Sequence, residues 1–303
     1  MAGPRGSPRR GGAGGGRDAP RPGRTPGAAA VIVVAENLTV TQREVARAVA
    51  GRDPEPLRRV ARAAAEAGAA YLDVNLGRGS TRDDVAFVVE TLEGVWAGGL
   101  VADAARPEPM AWVAERWRGP VVLNGYSADP GRDEIPALAA RLGAGLVVFC
   151  MGSGVPREAD ERLALAAELV GRCQEAGVPL ERIWIDPVLV PLGWQEGQAY
   201  NAALLEVIRR LPEVFGEPVA TIVGLSNLTT GAAGGRGTGW LQGVFLAAAA
   251  GAGLTHVMLD VTRPDLRRVV AALEVFENRR LYAPEEFRNA VAGSGPPGEG
   301  GGA

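Results

Sequence analysis

From residue 31 onward, short apolar runs rich in β-formers alternate with longer stretches whose apolar positions recur every three or four residues. The short runs are 31–35, 70–75, 99–103, 121–124, 146–151, 183–186, 220–225 and 257–260. Each is apolar on both faces and closes on a polar or turn residue, which predicts strands of a parallel sheet covered on both sides. The longer stretches predict amphipathic helices. Over 54–67, Leu57, Val60, Ala61, Ala64 and Ala65 form one face and Arg58, Arg59, Arg62 and Glu66 the other. Over 157–176, Leu163, Leu165, Ala166, Leu169 and Val170 are the apolar set. Gly68 and Gly177 fall where helix C-caps belong. The stretch 239–250 is almost wholly apolar, so it has to be deeply packed or to lie against a partner.

Eight strands alternating with helices over residues 31–292 predict an α/β fold, a closed (β/α)8 TIM barrel, which typically takes about 250 residues. An open doubly wound sheet is disfavoured because the first strand runs into Glu36-Asn37-Leu38-Thr39 where a Gly-rich phosphate turn would be needed. Residues 1–30 hold nine Gly, six Arg, five Pro and one acid, and 293–303 read GSGPPGEGGGA, so both are expected to be disordered tails. The Arg-rich start followed by the apolar run 28–35 imitates a secretion signal, but the run is short and supplies the first strand. No stretch approaches the roughly 20 apolar residues of a membrane helix.

Charge and composition narrow the chemistry. The barrel region carries 26 Arg against 33 acidic residues, which argues against a nucleic-acid face. The chain contains no Lys, one His and two Cys. That excludes Schiff-base, pyridoxal-phosphate and Walker-lysine chemistry, as well as a three-His zinc site or an iron–sulfur cluster held within one chain. No metal site is expected, and the two Cys need not pair, so a reduced, cytoplasmic setting is the simpler expectation.

Barrel chemistry sits at the C-terminal strand ends. The polar residues there are Glu36 and Asn37, Asp73 and Asn75, Asp103, Asn124, Asp186, Ser226 and Asn227, and Asp260, with Met151 closing the fifth strand. Carboxylates and amides dominate, and imidazole and thiol are absent. Such groups suit a flat ring that displays several hydrogen-bond donors and acceptors. Short acids also end strands and cap helices, so Asp103 and Asp186 have a structural reading beside the functional one, and Asn75 could be a rim hydrogen bond. Gly224 and Ser226 place small groups around Asn227. Arg236 lies in a Gly-rich loop, 231–239, able to fold over a ligand. His256 starts a strand, on the barrel's stability face.

Taken in order, Leu72-Asp73-Val74-Asn75-Leu76-Gly77, Val101-Ala102-Asp103, Val122-Leu123-Asn124, the segment from Cys150-Met151-Gly152 to Pro156, Ile185-Asp186-Pro187 with Val188 to Pro191, and Gly224-Leu225-Ser226-Asn227 resemble the pterin-binding methyltransferases. These pass a methyl group from methyltetrahydrofolate to a corrinoid protein. The resemblance spans residues 31–292. It implies that Asp103, Asn124 and Asp186 hydrogen-bond the pterin ring, with Asn75, Gly224 and Ser226 also lining the substrate site. It further implies that Asn227 bonds near N5 as the catalytic amide, and that Arg236 supports this network. No covalently held cofactor is implied: methyltetrahydrofolate is the donor, the acceptor is the cobalamin of a separate protein, and the family is homodimeric. The chain departs from the pattern in the first strand, where Thr39 replaces an Asn, and after Asp103, where Ala104-Ala105 stand in place of a small hydroxyl residue. Dihydropteroate synthase shares the barrel and pocket, but its early Asn-Val-Thr-Pro-Asp loop is only partly echoed by Asn37-Leu38-Thr39-Val40-Thr41 and its Ser-x-Lys element has no Lys here. A non-catalytic pterin-binding docking subunit for a corrinoid protein would carry nearly the same residues. With no Lys and a distant His, no general acid is evident from the sequence.

Overall fold

The computed structural model describes residues 31–231 and 239–277. The two proposed tails and the loop bearing Arg236 lie outside the described residues, the C-terminal one together with 278–292 of the expected barrel region. Eight parallel strands close into a barrel in sequence order: β1 (Ile32–Thr39), β2 (Tyr71–Asn75), β3 (Gly99–Asp103), β4 (Val121–Tyr126), β5 (Gly145–Phe149), β6 (Ile183–Asp186), β7 (Ala220–Gly224) and β8 (His256–Leu259). Among the described residues the helices are α1 (Arg43–Gly51), α2 (Pro54–Glu66), α3 (Arg82–Leu92), α4 (Pro107–Arg116), α5 (Ile135–Leu142), α6 (Ala159–Glu175), α7 (Gly197–Phe215), α8 (Gly239–Ala252) and α9 (Pro264–Phe276).

The expected strands are therefore present, with shifted ends. The largest shift is in β1, expected to stop at residue 35 but running to Thr39 across a register shift between Ala35 and Leu38. Two interactions allow polar Asn37 to stay within the strand. Its side chain donates to Asp260 Oδ1 and accepts the Val261 N–H at 3.0 Å, stitching β1 to the residues after β8. Leu38, fully buried, anchors the extension in the outer core.

The core has two compartments. Strand faces turned outward pack with the helices, while Val34, Tyr71, Val101, Val122, Val147, Trp184 and Ile222 fill the barrel interior. The lower interior is an aromatic plug: Tyr71 meets Trp184 edge-on at 4.9 Å, and Trp184 stacks on His256 at 4.1 Å. Burial drives the His256 imidazole down to about 4, so it stays neutral in the stability half of the barrel. Gly68 and Gly177 adopt φ of 75° and 93°, as C-capping requires.

Helix α8 is only half packed. Gln242, Gly243, Leu246 and Ala249 are buried, whereas Trp240 and Val244 are 66% and 62% exposed. The apolar stretch at 239–250 thus turns one apolar face to the barrel and leaves another open.

Candidate functional site

Strand periodicity builds the site. Successive side chains alternate between barrel interior and exterior, so every second residue points inward. On β6 this places Asp186 one inward position above Trp184. On β2, Asp73 and Asn75 stand above Tyr71. Asp103 stands above Val101, Asn124 above Val122, Gly224 above Ile222 and Glu36 above Val34. An apolar plug thus carries a polar upper layer, which opens into a cavity of about 560 Å³. Its walls include Glu36, Asp73, Asn75, Asp103, Asn124, Asp186, Gly224, Ser226, Asn227 and Asp260, with Phe149 and Met258 as apolar surfaces. Seven expected site residues — Asn75, Asp103, Asn124, Asp186, Gly224, Ser226 and Asn227 — meet in this one cavity. Arg236 lies outside the described residues. Asn37 is committed to the β1–β8 seam, and Met151 does not line the cavity.

The groups differ in how much hydrogen-bonding capacity they retain. Asn75 donates to Asp103 Oδ2 at 2.8 Å and accepts the Gly77 N–H at 3.1 Å, so it chiefly orients Asp103. Asp186 accepts the Val188 N–H at 2.7 Å through Oδ1, which fixes its carboxylate in the cavity wall. That bond holds Val188 at φ 66°, a costly conformation for a β-branched residue and one that concentrates at functional sites. The amides of Asn124 and Asn227 have no hydrogen-bond partner among the described residues. Gly224 leaves room for the Asn227 amide, since a Cβ there would sit 3.3 Å from its Nδ2. Gly125 allows close approach of β4 to β5, because a Cβ would lie 2.4 Å from the Val147 carbonyl oxygen.

Burial also turns the carboxyls into proton holders. Glu36 is pushed up to about 7, mainly by burial and further by the Asp260 charge, although the Ser226 hydroxyl donating to its Oε2 at 3.0 Å pulls the other way. Asp186 is raised to about 7 and Asp103 to about 6, in both cases chiefly by desolvation. Asp73 is raised well above the usual range by burial and by the charges of Asp103 and Glu36, and its Oδ1 is buried without a partner among the described residues. Carboxyls this close and this dry cannot all ionise, so the site keeps protons at neutral pH. This amends the expectation from the sequence, which offered no general acid: Glu36 and Asp73 were visible as strand-end acids, but only their burial makes them retain a proton.

One supporting residue was not legible at all. Arg162 sits in the first turn of α6 among polar neighbours, yet it is completely buried. Its Nε donates to the Pro156 carbonyl at 2.7 Å and its Nη1 to the Pro187 carbonyl at 2.9 Å, and the guanidinium lies 5.7 Å over the Tyr200 ring. It thereby ties the segments after β5 and β6 together, and its charge counters the upward shift of Asp186. Arg162→Lys keeps the charge but loses the planar fork that reaches the two carbonyls from Nε and Nη1. It should cost about 1.5 kcal/mol of stability, read as a lower urea midpoint at unchanged slope. An unchanged midpoint would mean that the clamp contributes nothing.

Among the described residues no group of His, Cys, Asp or Glu is arranged to hold a metal ion, and no helix is long and apolar enough to cross a membrane. Both cysteines, Cys150 and Cys173, are free and buried.

A family profile described as "Pterin binding enzyme" matches residues 36–260. The chain is 23% identical over 259 residues to a methylcorrinoid:tetrahydrofolate methyltransferase of Eubacterium limosum, covering 83% of this chain and 93% of that protein. Among solved structures, it resembles Xanthomonas albilineans dihydropteroate synthase with 4-aminobenzoic acid, with TM-score 0.62 and 22% identity over 84% of this chain and 95% of the other. Dihydropteroate synthase from Stenotrophomonas maltophilia gives TM-score 0.59 and 19% identity over 83% and 93%. At these identities the two structures establish the shared barrel fold.

Proposed function

The chain belongs to the pterin-binding enzyme family, and from that premise we propose that it is a methyltransferase moving a methyl group between N5 of tetrahydrofolate and the cobalt of a corrinoid carried by a separate protein. One observation carries this reading: a single cavity sets the ring-binding set Asp103, Asn124 and Asp186 beside an unengaged amide, Asn227, and a proton-holding carboxyl, Glu36. The Eubacterium relative supports it, although its name runs from methylcorrinoid to tetrahydrofolate. Microscopic reversibility requires one site to serve both directions.

A tertiary amine is a poor leaving group. When N5 is protonated, attack of cobalt(I) on the methyl carbon breaks the C–N bond, and the electron pair returns to N5 as a neutral secondary amine. In reverse, N5 attacks the methyl of the methylcorrinoid, the Co–C electron pair stays on cobalt, and N5 gives up its proton. In either direction the protein must hold a proton near N5 and stabilise positive charge there. Asn227 does the second by accepting the N5–H bond through its carbonyl oxygen, and Glu36 does the first. Ser226 joins them, bonding Glu36 through its hydroxyl from the position next to Asn227.

Dihydropteroate synthesis is the second reading, favoured by the structural neighbours alone. The complete absence of Lys speaks against it. The homodimer is part of the proposal, with the open face of α8 at Trp240 and Val244 suited to self-association. So is a reduced cytoplasmic setting, consistent with two free thiols.

The test is stopped-flow mixing of protein and methyltetrahydrofolate with cob(I)alamin or a cobalt(I) corrinoid protein. Formation of methylcobalamin supports the proposal, while folate binding with no transfer would leave only a docking subunit. With saturating folate, the transfer rate should fall as pH rises through about 7, because Glu36 loses its proton there. Glu36→Gln should slow transfer about tenfold at pH 7 and flatten that limb. A limb unchanged in the variant would assign the proton to another group.

A further inference from the structure

A second concavity of about 440 Å³ opens at the same end of the barrel, lined by Arg78, Ala105, Arg106, Asp129, Pro130 and Arg132 among others. Its three arginines come from three consecutive loops. Arg78 lies three residues beyond Asn75, Arg106 three beyond Asp103, and Arg132 in the segment that follows the end of β4 at Tyr126. The concavity therefore forms the outer rim of the sector that holds the deep ring-binding groups. Arg78 and Arg106 have no ion-pair or hydrogen-bond partner among the described residues. Arg132 donates to the Gly125 carbonyl at 2.6 Å, and its charge lowers the neighbouring Asp103. One carboxylate shares the concavity, Asp129, and the Ser127 hydroxyl already bonds it at 2.8 Å.

Such a surplus of cation is anomalous in a chain of net charge −3. Elsewhere around the mouth, arginines are neutralised: Arg157 meets Glu196 at 3.1 Å, and Arg263 meets Asp265 at 2.6 Å. The β8–β1 side instead has the Asp260 carboxylate in the wall. An anionic ligand emerging from the cavity is therefore repelled on one side and attracted on the other. The positive end of α4, which begins at Pro107 with no side-chain cap, adds to the attraction.

We propose that this concavity binds the carboxylates of the folate's glutamyl tail, and that it selects tails of more than one glutamate. The inference rests on the pterin reading above. With the pyrimidine edge held deep by Asp103, Asn124 and Asp186, the aminobenzoyl arm has to leave through the mouth, and its terminal carboxylates reach the rim. Guanidinium groups from separate loops suit a flexible chain of carboxylates, each able to take a bidentate pair. Because the site is exposed, its contribution is sensitive to salt.

The experiment is calorimetric titration of the full chain, at low salt and again at 0.5 M salt as about the upper limit of screening used, with methyltetrahydropteroyl mono- and triglutamate and with a tail-less 5,6-dimethyltetrahydropterin. The wild type should bind the triglutamate about tenfold more tightly than the monoglutamate at low salt, and that advantage should shrink at high salt. Arg78→Glu/Arg106→Glu should abolish the advantage and leave affinity for the tail-less pterin unchanged. An equal affinity of the wild type for both tails, or an advantage that survives in the double variant, overturns the proposal. So does a double variant that keeps the advantage but needs more corrinoid protein for half-maximal transfer, which would make the rim an acidic partner's docking face. Failure of the wild type to bind even the tail-less pterin would overturn the pterin reading itself.

Discussion

Replacing Asn227 by alanine is expected to slow methyl transfer by about 10²- to 10³-fold while folate affinity changes less than about threefold. The asymmetry follows from when the bond is needed. Asn227 is exposed to the cavity with no hydrogen-bond partner among the described residues, so its amide is free to bond a ligand, in room that Gly224 leaves for it. In the ground state N5 is a neutral amine of weak polarity. As the methyl departs or arrives N5 carries positive charge, and the bond from an amide oxygen beside it strengthens most at that moment. Single-turnover rates and equilibrium titration on the same variant separate the two effects. Equal losses in both would reduce Asn227 to a binding contact.

The second large effect is on affinity. Asp186→Asn should weaken folate binding about 30- to 100-fold, the scale of a charge-assisted pair exchanged for a mismatched one. The carboxylate can accept two parallel N–H bonds from an aminopyrimidinone edge. The amide offers an N–H to a partner that is itself a donor, on a residue already fixed through its bond to Val188. The wild type carries a further signature. Burial raises Asp186 to about 7, so below that pH the free site holds it protonated and must release the proton to accept both bonds. Affinity should therefore fall as pH drops below about 7 and level off above it, by roughly tenfold per pH unit on the sloping limb. In the Asn variant that slope should vanish. Titrations at pH 6 and pH 8 decide it, and a slope retained in the variant would place the titrating group elsewhere.

How much of this can be read from the residues alone depends on how local the cause is. The eight strands are legible because each is a compact apolar run closed by a polar residue, and the barrel follows from their number and alternation with helices. The residues proposed to hold the ring are legible for the same reason, since strand ends in a barrel converge on one mouth and period-two alternation points Asp103, Asn124 and Asp186 inward together. Effects that depend on what surrounds a residue are not legible. Glu36-Asn37 looks like a strand terminus, but Asn37 finds its partners more than 200 positions away across the closing seam, which lets β1 continue. The retained protons on Glu36 and Asp73 come from desolvation by neighbours contributed by other strands. Arg162 shares a helical turn with Asp160 and Glu161 and reads as solvated, whereas two carbonyls and an aromatic ring account for its burial. The Arg78, Arg106 and Arg132 rim arises from three loops with no shared sequence pattern.

The most direct measurement is diffraction from crystals soaked with methyltetrahydrofolate. We expect the reduced bicyclic ring to lie above the Trp184 plug, its pyrimidine edge on Asp103, Asn124 and Asp186, and its methylated nitrogen within hydrogen-bond reach of the Asn227 side chain. A heterocycle seated outside the barrel, or one whose methyl-bearing atom faces away from Asn227 and Glu36, would contradict the assignment of the chemistry to these groups.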